Sequence, residues 1–493
     1  MSDEESARDA GIVGRASAAL GGNTVYLVAN GLLILLLTRE LLSPTDFGTL
    51  YFAISVLTVG SIFAILGIPK SAARYVNEYT EQDPAQVPHI LRRTMLAMGL
   101  LVGLVGLVLF LGHERIAALL DSPEVAPFLL LGPLYVAGYA LHSLLLSLFQ
   151  GFNRIRWSAS LNALSGIGRL VFVVALVLAG FEAVGAFVGY VAGFGLAAVV
   201  GLVLLYRHHY ADYEEAPEME SGLTRRLVEY SLPLTLTKGA GVLDKRVDII
   251  LVGALLNPVA VGYYVVAKQV SEITSVPASS LGYTVSPELG TRSAMDRTDR
   301  AARLYERALR YVMLFYLPAC VGLVLVADPA IPLIFGRDYA GAVPVVQVMS
   351  GFVLVNSVNK ITSDGLDYLG RARERALMKS GTAGANFLLN LLLIPVFGVV
   401  GAAVATVATY TVYTLGNVYY IHRAFSLRLG ALARVGAGVT LITAAMGVAV
   451  VLALPYISGP FTLAGVILLG GGVWAVLSLA SGLVDVEQVS ALL

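Results

Sequence analysis

Charged residues inside an apolar stretch are the first feature of this sequence that could do chemistry. Within 233–272, five of them fall inside one hydrophobic span: Lys238, Asp244, Lys245, Arg246 and Asp248. A charge near the bilayer centre costs roughly 2.5 to 3.5 kcal/mol on insertion scales, so five in one span need compensation. The helix must therefore face a water-filled cavity or pair its charges inside a bundle.

The spacing of these charges places them on one side of a helix. Lys238 and Lys245 are seven residues apart and lie within about 20° of each other around the axis. Asp244 and Asp248 fall on the adjoining arc, with Arg246 on the flank. Such a stripe favours a cavity wall that binds an anionic headgroup through unpaired N–H donors. The alternative is a self-neutralised stripe, because the aspartates are four residues apart and close to Lys245.

Further charges lie within or at the ends of other predicted spans. Arg169 has no acid near it in the sequence, so its partner must come from another helix or from substrate. Two i, i+4 pairs could be local ion pairs or parts of the site: Lys268 with Glu272, and Lys360 with Asp364. With the span above, the six cations exceed the four carboxylates by two, which favours an anionic ligand. The carboxylates are candidates for charge pairing or for coupling to H⁺ or Na⁺.

The composition is that of an integral membrane protein. Hydrophobic residues make up 57% of the chain, charged residues 13%, and the mean hydropathy is +0.78. The net charge of zero gives no support for nucleic-acid binding. The single cysteine, Cys320, excludes a disulfide framework, and no motif indicates a metal, a cofactor or ATP hydrolysis.

Apolar stretches of about 20 residues predict an all-α integral membrane protein with about 14 transmembrane helices. The predicted spans are 17–37, 48–68, 92–112, 126–149, 158–180, 183–206, 231–256, 262–286, 308–327, 341–363, 376–396, 399–421, 434–454 and 461–482. A short cytoplasmic helix is expected over 4–16. Gly67 and Pro69 mark an expected break in the second predicted helix, Pro277 marks one in the eighth, and Pro233 is expected at the entry to the seventh.

Lysine and arginine in the loops predict the orientation. Counted over alternate loops, almost all of them fall on one side, and only Arg39, Arg115 and Arg337 fall on the other. Because cytoplasmic loops carry the excess of positive residues, both termini are expected in the cytoplasm, with the protein in the cell membrane.

An internal repeat divides the chain. Residues 41–56 align with 255–270 at an offset of 214, and Arg154 aligns with Arg371 at an offset of 217. We therefore expect two homologous six-helix lobes around a central cavity plus two peripheral helices. The expected bounds are 1–228 for helices 1–6, 229–425 for helices 7–12 and 426–493 for helices 13–14.

The two lobes differ where the charges lie. At the offset of 214, Lys238 aligns with Thr24, and Asp244 with Asn30. The second lobe is thus specialised at its first helix, which the fold alone does not require.

Residues 36–74, 247–272 and 335–350 resemble the polysaccharide or oligosaccharide flippases of the multidrug/oligosaccharidyl-lipid/polysaccharide exporter superfamily. The resemblance covers essentially the whole chain. It implies a flippase that moves a lipid-linked oligosaccharide, on a polyprenyl phosphate or diphosphate, from the cytoplasmic to the outer leaflet by alternating access. It further implies membrane lipids, and glycosyltransferases or a polymerase of the same pathway, as partners.

Three alternatives stay open. A cation-coupled multidrug antiporter would use Asp244 or Asp248 as its ion site. A non-transporting scaffold of a glycan-synthesis complex would need no transport site. A membrane enzyme is disfavoured, because the longest outward segments, 113–125 and 328–340, are too short to hold a catalytic domain.

Overall fold

A computed structural model describes residues 21–210, 213–295 and 298–483, and these form an almost entirely helical protein. The predicted helix at 4–16 lies outside the described residues. Seventeen α-helices occur in the described part: α1 Gly21–Leu41, α2 Pro44–Ile65, α3 Ile68–Gln82, α4 Val87–Leu119, α5 Ala126–Leu130, α6 Gly132–Gly151, α7 Ile155–Leu176, α8 Glu182–Leu205, α9 Leu223–Leu255, α10 Pro258–Thr274, α11 Val276–Ala294, α12 Thr298–Phe335, α13 Val343–Tyr368, α14 Ala372–Phe397, α15 Val399–Phe425, α16 Leu429–Ala453 and α17 Pro460–Ala480.

Eleven candidate membrane spans are long and apolar enough to cross a bilayer within the described residues. One of them, Ile155–Tyr210, contains both α7 and α8. The helices α9, α10 and α11 are not among the eleven, because α9 carries many charges and α10 is short. The protein is therefore a multi-pass membrane protein, and the count of fourteen spans stays a prediction.

The chain folds as two compact units, the first ending at Val261 and the second beginning at Gly262, within α10. In the first unit α9 packs against α2 and α3. The lobe boundaries expected after residues 228 and 425 stay predictions.

In the N-terminal unit, α7 and α8 form the most extensive helix pair. Small residues make this approach possible: a Cβ on Gly189 would lie 2.5 Å from the backbone N of Val173. The helices α2 and α6 also pack against α8.

In the C-terminal unit, α13 packs against α11, α12 and α15. The last two helices, α16 and α17, pack against α12, where the indole N–H of Trp474 donates to the carbonyl oxygen of Leu314 at 3.0 Å.

The residues that indicated the repeat occupy equivalent places in the two halves of the helix order. Pro44 and Pro258 begin α2 and α10, and Arg154 and Arg371 immediately precede α7 and α14. Each of α2 and α10 is followed by a break and a second helix.

The break expected at Gly67 is confirmed. Leu66 and Gly67 have φ values of 40° and 69°, and α3 begins at Ile68. Glycine is required there, because a Cβ would clash with the carbonyl oxygen of Ser231 on α9.

The expectation that Pro233 begins a helix is wrong, because α9 begins ten residues earlier at Leu223. The first turns of α9 carry Arg225, Arg226 and Glu229, so a hydropathy scan does not detect them.

Candidate functional site

The charged residues of α9 do not share one environment. Lys238 and Lys245 are exposed, Asp244 and Arg246 are half-buried, and Asp248 is only 3% exposed. The predicted polar stripe is thus exposed at its lysines and buried at its last carboxylate.

Arg246 forms no ion pair with a carboxylate among the described residues. It lies close enough to the hydroxyls of Tyr51, Tyr135 and Tyr139 to interact with them electrostatically. Its described neighbours in the N-terminal unit therefore include three tyrosine hydroxyls.

Arg169 is a buried cation enclosed by aromatic rings. Its side chain, on α7, is 4% exposed, and its guanidinium carbon lies 4.7, 5.3 and 5.1 Å from the ring centroids of Tyr26, Tyr190 and Phe194. These distances are typical of cation–π contacts. Its Nε donates to the carbonyl oxygen of Ser165 at 3.2 Å, and its Nη2 has no hydrogen-bond partner among the residues that the structure describes. No described carboxylate pairs with it.

Tyrosine hydroxyls connect this aromatic layer to α2. The hydroxyls of Tyr51 and Tyr190 lie 2.9 Å apart, and that of Tyr135 lies 3.2 Å from the Thr58 hydroxyl. The N-terminal unit therefore places neutral hydrogen-bonding groups around its interior cations.

Lys238 lines a cavity of about 80 Å³ at the bend between α2 and α3. The polar part of the wall carries hydroxyl groups from three helices: Thr58 and Ser61 on α2, Tyr139 and Ser143 on α6, and Thr235 on α9. Lys238 forms no ion pair with a described carboxylate. This cavity is the part of the predicted cationic site that has a defined shape.

The remaining predicted cations lie in the C-terminal unit. Lys268 on α10 is half-buried, whereas Glu272 is exposed and forms no ion pair within the described ranges. The structure thus does not join these two residues as a local pair.

The end of α13 carries a mixed cluster. Lys360 interacts electrostatically with Asp364, at a separation beyond salt-bridge distance. Asp367 pairs with Arg375 of α14 at 2.7 Å, and Arg375 also donates to the Ser363 hydroxyl at 3.3 Å. Arg375 therefore pairs with one of the two carboxylates at this helix end, Asp367.

Of the six predicted cations, the N-terminal unit holds Arg169, Lys238, Lys245 and Arg246, and the C-terminal unit holds Lys268 and Lys360. Whether all six act on one substrate stays a prediction. Among the described residues, no group of three or more His, Cys, Asp or Glu side chains is arranged to hold a metal ion.

Sequence reasoning missed the aromatic residues around Arg169 and the hydroxyl-lined cavity. A signal for the former exists: Tyr135 and Tyr139 on α6, and Tyr190 and Phe194 on α8, are i, i+4 pairs in otherwise apolar helices. The cavity gave no signal, because its wall comes from helices far apart in the sequence.

The fold is that of a class of membrane transporters. The inward closed conformation of the lipid II flippase MurJ matches with a TM-score of 0.77 at 14% identity, covering 94% of this chain and 98% of that chain. An inward-facing multidrug resistance MATE family transporter of the MOP superfamily matches with a TM-score of 0.67 at 13% identity, covering 83% and 95%.

The family follows from the sequence. The model of the family described as "polysaccharide biosynthesis protein" matches residues 17–287, more than half of the chain. The chain therefore belongs to the polysaccharide biosynthesis protein family. This confirms the predicted resemblance and the assignment to a transporter rather than an enzyme family.

Three curated relatives are similar at low identity. A probable low-salt glycan biosynthesis flippase of Haloferax volcanii is 23% identical over 52% of this chain and 53% of its own length. The probable flippase AglR of the same organism is 25% identical over 78% of both chains. The succinoglycan biosynthesis transport protein ExoT of Rhizobium meliloti is 25% identical over 63% and 60%. The chain thus spans about half of the first relative.

Proposed function

We propose that this protein is a flippase that moves a lipid-linked oligosaccharide from the cytoplasmic to the outer leaflet of the cell membrane. Its cargo is carried on a polyprenyl phosphate or diphosphate, and the two predicted lobes expose the site alternately to each side. The flippase names of two relatives and the glycan-biosynthesis names of two support this proposal.

The observation that carries the proposal is a set of cations without described carboxylate partners, of which one is buried, one is half-buried and one is exposed on the wall of a cavity. Arg169, Lys238 and Arg246 form no ion pair with any described carboxylate of the protein. Unpaired N–H donors in a medium of low dielectric constant stabilise a phosphate strongly, because they exchange no existing partner for it. A transporter for cationic drugs would place carboxylates in these positions.

An apolar cavity in the C-terminal unit suits the other end of such a cargo. It measures about 360 Å³ and is bordered by α12, α16 and α17, with Phe315, Leu323, Met446 and Trp474 in its wall. We propose that it accommodates part of the prenyl chain, since each buried CH₂ contributes roughly 0.8 kcal/mol.

We further propose that α9 and the α10–α11 pair also cross the membrane, which gives fourteen spans with both termini in the cytoplasm. In this orientation an anionic headgroup leaves an inside-negative cell. Each negative charge moved outward gains roughly 2.3 kcal/mol per 100 mV of membrane potential. This gain gives the transport a direction without ATP.

The test is the triple substitution Lys238→Ala, Lys245→Ala and Arg246→Ala. Surface glycan export should stop in cells that depend on this protein, while membrane insertion continues. The matched control is Arg225→Ala on the same helix, because Arg225 is exposed and pairs with Glu229 at 2.6 Å. Unchanged export in the triple variant would refute the assignment of the cationic site.

The buried carboxylate on α9 favours a second candidate, a cation-coupled antiporter. Asp248 is 3% exposed, which suits a group that exchanges H⁺ or Na⁺. Asp248→Asn should then abolish ion-driven efflux of cationic dyes from proteoliposomes. Absence of any dye efflux by the unmodified protein would exclude this candidate and leave Asp248 as a coupling or pairing residue of the flippase.

A further inference from the structure

We propose that the cavity at the α2–α3 bend is a subsite for one phosphate group of the carrier lipid. The inference rests on the proposed function and specifies where the protein binds the phosphate of its cargo. The cavity lies entirely within the N-terminal unit, between α2, the bend, α6 and α9.

The size of the cavity fits a small ion rather than a sugar. Its volume is about 80 Å³, whereas a single water requires about 10–15 Å³ of such space. Pockets for larger organic ligands measure about 300–1,000 Å³. Room for a few waters is room for one tetrahedral oxyanion.

Two lysines without acidic partners indicate the sign of the ligand. Lys70 on α3 is close enough to Lys238 to repel it, and neither pairs with a carboxylate among the described residues. Like charges held near each other are unfavourable unless an opposite charge lies between them. An anion bound beside Lys238 removes this repulsion, and a cation would add to it.

The hydroxyl groups supply directed donors on one side of the cavity. The hydroxyls of Thr58, Ser61 and Thr235 donate to carbonyl oxygens of their own helices, at 2.6, 2.8 and 2.9 Å. Those of Tyr139 and Ser143 have no protein acceptor within the described ranges, so their protons remain available to a ligand. Three donor groups, including Lys238, therefore converge from α6 and α9 on the space that an oxyanion would occupy.

The bend itself holds strained backbone at this point. Leu66 has a φ of 40°, which is uncommon for a residue with a branched side chain, and it lines the cavity with Gly67. Such strain persists only where the surrounding structure enforces it, and it concentrates at ligand sites. Because α3 starts directly after Gly67, its N-terminal partial positive charge adds to that of the lysines.

Cysteine protection tests the subsite without measuring transport. Cys320, the only cysteine, is replaced by Ala, and Thr235→Cys places a thiol in the wall without removing a free donor. Thiol modification is measured with inorganic phosphate, inorganic pyrophosphate or a polyprenyl diphosphate added. At ten times the dissociation constant, a ligand in the cavity should slow modification about tenfold. Val228→Cys, exposed on the same helix, should not respond.

The Lys238 variants decide the outcome. Protection should disappear in Lys238→Gln and persist in Lys238→Arg, which keeps the charge and shows that the variants fold. Protection by the lipid alone, lost in Lys238→Gln, assigns the phosphate to the carrier, and protection by free phosphate as well identifies a general oxyanion site. No protection by any probe, or protection unchanged in Lys238→Gln, overturns the inference.

Failure of the phosphate subsite and failure of the proposed flippase function give different experimental results. If phosphate protects Thr235→Cys but the cells export glycan without this protein, the subsite stands and the flippase assignment does not. If export requires Lys245 and Arg246 while no probe protects the cavity, only the subsite is wrong.

Discussion

Two corresponding helices, α7 in the N-terminal unit and α14 in the C-terminal unit, carry the same pair of polar groups in opposite order. The offset of 217 residues that relates Arg154 to Arg371 carries Asn162 to Lys379 and Arg169 to Asn386. At these two positions, seven residues apart, each helix thus carries an amide at one and a cation at the other. In α7 the cation lies two turns further from the helix start than in α14.

The helix that packs against each of these, α8 on α7 and α15 on α14, differs at the position that contacts residue 169 or 386. Gly193 on α8 leaves room for Arg169, because a Cβ there would clash with the Arg169 side chain and lie 2.6 Å from its backbone N. At the corresponding contact of the C-terminal unit, Asn386 donates to the Thr409 hydroxyl at 3.3 Å. The same helix packing therefore holds a buried charge in one unit and a neutral hydrogen bond in the other. We predict from this difference that transport depends on the depth of the positive charge in the N-terminal unit.

Arg169→Met should have the largest effect on transport. Loss of one charged contact to a phosphate removes at least about 1.5 kcal/mol, which corresponds to about a tenfold loss of rate. Stability should change little, because loss of the cation–π contacts is offset by removal of a buried charge, and no described carboxylate loses an ion-pair partner. Export and the thermal midpoint of the purified protein measure the two quantities.

The double variant Asn162→Lys with Arg169→Asn is the matched control. It keeps the net charge and places the cation at the position that Lys379 occupies in α14. Export should remain low if the depth of the charge matters. Recovered export in the double variant would show that charge alone suffices, and a lowered thermal midpoint in Arg169→Met would make its role structural.

Gly193→Ala should destabilise the N-terminal unit by about 1–3 kcal/mol, because the added methyl group overpacks the contact with Arg169. Gly195→Ala, on the same helix, is the control: nothing lies within 4 Å of a Cβ there. It should be neutral or stabilising, by up to about 1 kcal/mol, through helix propensity. Chemical denaturation in detergent compares the two, and equal effects would contradict the close packing of α7 on α8.

The contribution of neutral amide hydrogen bonds to the stability of the C-terminal unit can be tested at Asn359 and Asn417. The Asn417 amide donates to the Asn359 side-chain oxygen at 3.0 Å between α13 and α15, and both side chains are buried. Either single change to Leu should cost about 1–3 kcal/mol, since the other amide loses its partner, and the double change should cost less than the sum. Additive losses would show that the pair does not act as a unit.

Much of this architecture is predictable from the sequence because its causes are local or periodic. Apolar length marks most helices, and the matched prolines and arginines reveal the repeat. The beginning of α9 differs from the expected Pro233 because its first turns are polar. The break between α10 and α11 follows Thr274 and lies just before Pro277, the proline expected to mark a break there.

The site was predictable only in part. Charge within an apolar span makes Arg169 and Lys238 candidates, because a charge in such a span is costly wherever the helix lies, and their role in the site stays a prediction. The groups that surround them come from α1, α2, α6 and α8, so only the packing shows that Tyr26 and Phe194 enclose Arg169. The α2–α3 cavity depends on the same long-range packing.

The smallest expected effect is on stability. It concerns the side-chain contacts that hold the loop before α9, compared with those that hold the loop before α16. The first is attached through an exposed carboxylate: Glu220 accepts from the Tyr79 hydroxyl and pairs with Arg226 at 2.6 Å. The second is attached through Glu306, 7% exposed, which accepts from the backbone N–H of Arg428 at 2.7 Å. A surface cluster in water contributes less than a buried one.

The Tyr79 hydroxyl, followed by the Arg226 guanidinium, lowers the pKa of Glu220 below its usual value. A lowered carboxyl pKa contributes stability that is fully present above the usual value of about 4.3 and is lost as the pH falls through the folded-state value. Glu220→Gln should therefore speed proteolysis of the 213–222 loop slightly at neutral pH and leave it unchanged in acid. Glu306→Gln should lower the global thermal midpoint more, because its partner Arg428 binds a buried group. Equal effects of the two substitutions would contradict the difference between the two attachments.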